Sequence, residues 1–145
     1  MPTGEQQITA LRLLLSERNH EKSSDAVRAM DGPGRRDFLD LVSATVLELA
    51  DRKFEGADLP GAVVEWVGEF CPTSAALPDA LDPVAGEQVI LLVLGMSDAT
   101  DLDARKIRDT ELFLVQALAH DLNLDAQETD ELLASAWKLV ERVAR

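Results

Sequence analysis

The chain has 145 residues, of which 46% are hydrophobic, so it is long enough and apolar enough to bury a core, and disorder is excluded. Its formal net charge of −13, from 27 acidic and 14 basic side chains, argues against direct binding to nucleic acid or to anionic membranes, because both require basic residues that neutralise phosphates. Cys71 is the only cysteine, which excludes an intramolecular disulfide and fits a reducing compartment. No signal peptide is recognised at the N-terminus, so we predict one cytoplasmic domain over residues 1–145.

Hydrophobic spacing in the first half of the chain predicts four helices. A capping box at Thr3 and Gln6 starts the first, and the turn Asp31–Gly34 leads into the third, which is the longest. The four helices are expected at about Thr3–Asn19, Asp25–Met30, Arg35–Phe54 and Pro60–Pro72. Their expected core residues are Ile8, Leu11, Leu14, Leu15, Val27, Met30, Phe38, Leu41, Val42, Val46, Leu49, Ala50, Val63, Trp66, Val67 and Phe70.

The segment Asp82–Met96, DPVAGEQVILLVLGM, is the most apolar part of the chain. Asp82 suits an N-cap, and Pro83 suits the first helical position. Because Val89–Met96 contains no polar side chain, a helix here is expected to be buried on most sides, and it is too short for a membrane span of ~20 apolar residues. We predict the central helix of a bundle, reached through the irregular segment Pro72–Leu81. A buried strand is the alternative, since several of these residues are β-branched.

Two further helices are predicted in the last third of the chain. The first covers about Leu102–Leu122 and ends at Asn123, which suits a left-handed position. Asp125 and Glu128 form a capping box for the second. Its expected core stripe is Leu132, Leu133, Ala136, Trp137, Val140 and Val143. Together these elements predict an all-α fold class, a single-domain bundle of about six to seven helices around the buried helix Val84–Met96.

The sequence predicts no catalytic residue, no metal ligand and no cofactor. Glu17 and His20 have the i, i+3 spacing of di-iron bundles, but His120 lacks a glutamate at the equivalent position. The pair His120–Asp121 lacks the additional histidines that a metal centre would need. Cys71 has no base near it in the sequence and is expected to be a small buried residue. A P-loop, a dinucleotide fingerprint and zinc-ligand spacing are all absent.

Two basic groups are the candidate contact sites. Arg105, Lys106 and Arg108 form the densest basic cluster and are the expected contact for an acidic partner, with local ion pairs along a helix as the alternative. Arg35 and Arg36 follow a turn where a helix begins, so free N–H groups and two guanidiniums could hold an anion there. A turn with two solvated arginines is the alternative.

Trp66 and Trp137 could anchor a partner, because tryptophan is enriched at interface hot spots. Both lie in core-facing stripes, so burial within the domain is the expected outcome.

The leading functional hypothesis is a cytoplasmic, non-enzymatic helical protein that acts through protein–protein contacts as an adaptor, regulator or accessory subunit. A protein partner, or a second copy of the chain, is expected. One alternative is an inhibitor whose acidic surface imitates nucleic acid and occupies a basic cleft. A second alternative is a small helical enzyme or ligand binder with a cavity beside Val89–Met96.

Overall fold

The computed structural model describes residues 4–73, 83–96 and 102–143, and every regular element among them is an α-helix. The helices in chain order are α1 (Glu5–Leu15), α2 (His20–Arg28), α3 (Gly32–Lys53), α4 (Gly61–Thr73), α5 (Pro83–Val93), α6 (Ala104–Leu122) and α7 (Ala126–Val143). The predicted all-α fold class is confirmed. The strand alternative for the most apolar segment is wrong, because that segment forms α5.

The longest helix, α3, lies at the centre of the bundle. It contacts α1, α2, α5, α6 and α7, and apolar side chains are buried along it at helical spacing. These buried residues are Phe38, Leu41, Val42, Val46, Leu49 and Ala50. The stripe is the one predicted from the sequence, and it joins the buried residues of the other helices in one core cluster.

α5 is buried or partly buried along its middle, as its apolar sequence predicts, but α3 contacts more of the other helices. Val89 and Ile90 are fully buried, whereas Val84 in the first turn of α5 and Met96 beyond its last residue expose 57% and 55% of their surface. α5 has 11 residues and contacts α3, α4 and α6, while α3 has 22 residues and therefore offers twice the length for packing. The apolar sequence of α5 indicated burial correctly, but helix length decides which element the others surround.

α3 begins earlier than predicted because Asp31 caps it. One carboxylate oxygen of Asp31 accepts a hydrogen bond from the backbone N–H of Gly34 at 2.7 Å, and Pro33 lies in the first turn, where its missing donor costs nothing. A Cβ at Gly34 would lie 2.9 Å from the capping carboxylate and 3.2 Å from Met30 Cβ. Glycine at this position therefore allows α3 to start close to the end of α2.

The connection between α1 and α2 lies earlier than predicted. α1 ends at Leu15 rather than near Asn19, and α2 already begins at His20, because the Asn19 side chain caps it by accepting from Lys22 N at 3.0 Å. The predicted break between Asn19 and Asp25 consists of polar residues, which are compatible with a helix that exposes most of its surface. Thr3, the predicted cap of α1, lies outside the described residues.

α4 begins at Gly61 and ends at Thr73, within a residue of each predicted limit. Val63, Trp66 and Val67 are buried, as the spacing predicts. The side chain of Phe70, the fourth member of that stripe, lies outside the described part of the chain.

α3 and α6 run parallel, side by side. An ion pair joins Asp40 to Arg108 near their N-terminal ends, and another joins Lys53 to Asp121 near their C-terminal ends, at 3.9 and 2.6 Å. The same number of residues separates the two pairs on both helices, so the register is constant along their length.

The predicted turn joins α6 to α7. Asn123 has φ of 52°, the left-handed conformation expected of a helix C-terminus. The capping box is confirmed, with Glu128 N donating to Asp125 Oδ1 at 2.7 Å and Asp125 N donating to Glu128 Oε1 at 3.2 Å. The α7 stripe is buried as predicted except at Val143, which is 85% exposed in the last turn.

Candidate binding groove

An open groove of about 460 Å³ lies between α1, α2, α3 and α6. Most of its lining is apolar, with Leu14 from α1, Val27 from α2, Phe38 and Leu39 from α3, and Leu112 from α6. Leu112 is 37% exposed, which is unusual for a leucine in the middle of a 19-residue helix that packs on the centre of the bundle. In the groove, partly exposed apolar side chains therefore lie next to the buried core.

Two buried hydrogen bonds hold the walls of the groove in place. The Ser23 hydroxyl of α2 donates to the backbone carbonyl of Ala10 in α1 at 2.8 Å. The Gln7 side chain of α1 donates to the backbone carbonyl of Gly34 in α3 at 3.2 Å. Since buried polar groups are expensive to leave unpaired, these contacts fix α2 close to α1 and α1 close to α3. The groove is the gap that this arrangement leaves on the side facing α6.

The polar part of the lining is neutral or basic. It consists of His20, Ser23, Ser24 and Arg28 from α2 and Gln116 from α6. None of the groove-lining residues is aspartate or glutamate, although the chain carries 27 acidic side chains. The lining therefore differs in charge from the protein as a whole.

The predicted basic cluster lies at the start of α6, which Asp103 caps by accepting from Lys106 N at 2.7 Å. Arg105 and Lys106 are exposed. Arg108 forms its ion pair with Asp40 of α3, which is a contact between two helices and not the local pairing along one helix that the alternative predicts. Arg105 and Arg108 precede Leu112 by seven and four residues, which places both on the helix face that carries Leu112 into the groove.

The predicted anion site at Arg35 and Arg36 lies at the start of α3. There the carboxylate of Asp31 already accepts from the backbone N–H of Gly34, so an external anion would compete with it. The Arg35 guanidinium donates to the backbone carbonyl of Arg28 at 3.2 Å, and Arg36 is exposed. The structure thus brings Arg35 beside Arg28 at one end of the groove, and the anion site itself stays a prediction.

Glu111 is a buried acid between α6 and α3, with 4% of its surface exposed. Burial raises the pKa of Glu111 above its usual value of 4.5, because the charged form loses contact with water. The hydrogen bond from Ser43 and the charge of Arg108 lower this pKa in part, while the charge of Asp40 raises it further. Nothing in the sequence indicates that this residue is buried, since a glutamate in a helix is normally exposed.

We expect Glu111→Gln to raise the free energy of unfolding at pH 7. The raised pKa means that the folded state binds the proton more tightly than the unfolded state, so the contribution of Glu111 to stability is fully present below about pH 4.5 and is lost as the pH rises through the folded-state pKa. Glutamine removes this decline, and its carbonyl oxygen can still accept from Ser43. Urea unfolding at a series of pH values measures the effect.

The matched control is Glu65→Gln, at an exposed position of α4, which should change stability by less than about 0.5 kcal/mol at every pH. A Glu111→Gln variant that is less stable than the wild type at pH 7 would contradict the assignment of burial as the main cause of the shift.

His20 begins α2, and His120 lies in the last turn of α6. The Arg18 guanidinium lies 2.7 Å from His120 Nδ1, and Asp121 accepts from Trp66 Nε1 at 3.1 Å while pairing with Lys53. These contacts tie the C-terminal end of α6 to its neighbours. Across residues 4–73, 83–96 and 102–143, no three His, Cys, Asp or Glu side chains are grouped as metal ligands.

Trp66 and Trp137 are each 8% exposed, which confirms that they belong to the core. Trp66 packs edge-on against Phe54, with ring centroids 6.0 Å apart, and Trp137 lies against Gly4. Cys71 belongs to α4, and its side chain lies outside the described part of the chain.

The groove was not predicted from the sequence. Neither Leu112 nor Leu39 belongs to a core stripe predicted from the sequence. One signal was present: Leu39 is a large apolar residue next to Phe38 and outside the core stripe of α3. Apolar residues off the stripe indicate a second apolar surface, and in this protein they indicate the groove.

Comparisons with protein families, curated proteins and solved structures found no match for this chain. Within the described residues, none of the helices combines the length and the apolar character needed to span a bilayer.

Proposed function

We propose that this protein is a cytoplasmic, non-enzymatic helical protein that acts through protein–protein contacts, as an adaptor, regulator or accessory subunit. The observation that carries the proposal is the groove between α1, α2, α3 and α6, where the partly exposed side chains of Val27, Leu39 and Leu112 lie beside the buried core. Exposed apolar patches with a polar rim are typical of surfaces that bind other proteins.

The chemistry of the lining favours binding over catalysis. His20, Ser23 and Ser24 are potential base and nucleophiles, but the Ser23 hydroxyl is bonded to the Ala10 carbonyl. The groove lining contains no carboxylate that would orient His20, so it does not supply the nucleophile, base and acid that acyl transfer uses. We therefore assign these polar groups to the rim of a binding surface.

The groove also bears on the two alternative functions. Its lining does not include Val89–Met96, where the small-ligand hypothesis places a cavity, and most of the segment expected to cover that cavity lies outside the described residues. The nucleic-acid-mimic hypothesis requires acidic groups at the contact surface, whereas the groove lining is neutral to basic. The groove supports neither alternative, and protein–protein binding is the function it supports best.

We expect Leu112→Glu to abolish capture of the partner from a native lysate while leaving the thermal unfolding temperature close to that of the wild type. Leu112 contributes apolar surface to the groove and is already partly exposed, so a charge there blocks binding without burying an unpaired group. The measurement is a quantitative pull-down in which the wild type and the variant are used as bait at equal concentration.

Val143→Glu is the matched control, because Val143 is an exposed apolar residue of α7 outside the groove lining. It should retain the same partner. Equal retention by wild type and Leu112→Glu would show that the groove is not the contact surface.

A further inference from the structure

Glu111 is a buried ionisable group in the contact between α3 and α6. It exposes 4% of its surface, and the same face of α6 buries Leu114 and Leu118 completely. An ionised carboxylate is costly to bury without a well-placed cation, so the packing of this face depends on the charge of Glu111. We infer that Glu111 is a proton switch: the first half of α6 packs closely on α3 when Glu111 carries a proton, and it moves away from α3 when Glu111 is ionised.

The polar groups that act on Glu111 come from two helices. α3 supplies the Ser43 hydroxyl, which donates to the carboxyl group, and the carboxylate of Asp40, while α6 supplies the guanidinium of Arg108. Two further helices, α1 and α5, contact α6. Their ionisable side chains are Glu5, Arg12 and Glu87. Among the described residues, the charges that shift the pKa of Glu111 are those of Arg108 and Asp40.

The ion pair between α3 and α6 near Glu111 is loose. The Arg108 guanidinium lies 3.9 Å from the Asp40 carboxylate, which is beyond hydrogen-bond distance, so charge attraction alone holds the two groups together. Arg108 and Glu111 are three residues apart on α6, the spacing at which side chains of one helix are neighbours. When Glu111 loses its proton, two carboxylates compete for one guanidinium. The buried carboxylate gains more from it, because less water surrounds that group.

Ionisation of Glu111 therefore weakens the attachment of α6 to α3 in two ways. Arg108 turns towards Glu111 and releases Asp40, and the ionised carboxylate draws water into the contact between the two helices. At the other end of α6, the Lys53 ammonium lies 2.6 Å from the Asp121 carboxylate, so that end stays in place. The expected movement is an opening of the first half of α6 about its second half.

The groove is affected because Leu112, the residue that follows Glu111, forms part of its α6 wall. Movement of the first half of α6 changes the distance from Leu112 to Phe38 and Leu39 of α3, so the proton regulates the shape of the groove. No partner takes part in the switch, and its tests are therefore independent of the proposed function.

The direction of the pH dependence follows from burial. Burial raises the pKa of Glu111 above 4.5, so the folded state holds the proton at pH values at which the unfolded state has lost it. The close contact between α3 and α6 is therefore fully present below about pH 4.5, and it is lost as the pH rises through the folded-state pKa.

Hydrogen exchange of backbone amides measures the movement. Each measured rate is divided by the intrinsic exchange rate of that amide at the same pH, which gives the equilibrium constant for local opening. From pH 4.5 to about pH 8, this constant should rise about fivefold or more for the amides around Glu111 and stay unchanged for those around Asp121. Glu111→Gln should abolish the rise, because glutamine cannot ionise.

Removal of Asp40 tests the competition for Arg108. In Asp40→Asn the competing carboxylate is gone, so Glu111 should ionise at a lower pH than in the wild type, measured by carbon-13 NMR of its carboxyl group. Asp51→Asn is the matched control, at an exposed position in the second half of α3, and it should leave the titration of Glu111 unchanged.

Three results would overturn the inference. The first is an opening constant around Glu111 that does not change with pH, or that changes equally in the wild type and in Glu111→Gln. The second is a rise of equal size at both ends of α6, because the whole helix would then open together. The third is the same titration midpoint of Glu111 in Asp40→Asn and Asp51→Asn, because Asp40 would then not compete for Arg108.

Discussion

Leu41→Ala should lower the free energy of unfolding by about 2–5 kcal/mol, which is a large part of the stability of a domain of this size. Leu41 is fully buried in the middle of α3, the helix that contacts five of the other six described helices. Truncation there removes apolar contacts and leaves a cavity that neighbouring helices cannot fill without breaking their own packing on α3. Urea unfolding followed by circular dichroism measures the change.

The control for this variant is Leu91→Ala in α5. The Leu91→Ala substitution removes the same atoms as Leu41→Ala in the most apolar helix of the chain, but the Leu91 side chain is only partly buried. We expect it to lose less than half as much stability as Leu41→Ala. A larger loss of unfolding free energy for Leu91→Ala than for Leu41→Ala would show that α5 is the central helix, as the sequence alone predicts.

Gly4→Ala should have the second large effect on stability. Gly4 precedes α1 with φ of +78°, and a Cβ added there would lie 2.8 Å from Trp137 Nε1 and closer still to two carbons of the indole ring. Alanine therefore carries the cost of the left-handed conformation, about 1–2 kcal/mol, and an overpacking cost of ~1–3 kcal/mol, because Trp137 is buried and cannot move freely.

Gly56→Ala separates these two costs. Gly56 has a similar φ of +71°, but no atom lies within 4 Å of the position its Cβ would take. Both variants bear the backbone cost, so the difference between their unfolding free energies reports the contact between Gly4 and Trp137. Equal losses would mean that Trp137 does not pack against the start of α1.

Helix faces and helix ends could be predicted from the sequence, because both depend on residues close together in the chain. The stripe of α3 follows from apolar spacing, and the box formed by Asp125 and Glu128 follows from capping chemistry. The start of α2 does not follow from apolar spacing because its first turns are polar, whereas the Asn19 side chain caps a helix there.

Packing between helices could not be predicted in this way. Apolar spacing shows which face of α5 or α3 is buried, but it does not show which helix covers that face. It therefore does not show that α3, the longest helix, lies at the centre of the bundle. The groove depends on contacts between distant residues, such as Ser23 with the Ala10 carbonyl and Gln7 with the Gly34 carbonyl.

Site-specific photo-crosslinking in living cells tests the central claim, that the groove is the surface where a partner binds. A benzophenone amino acid replaces Ser24, an exposed residue of the groove lining, and in a parallel sample it replaces Arg142, an exposed residue of α7 outside that lining. We predict a light-dependent adduct with one partner protein from position 24, lost when Leu112→Glu is added, and no such adduct from position 142. Adducts of equal yield from both positions, or an adduct from position 142 alone, would contradict the account.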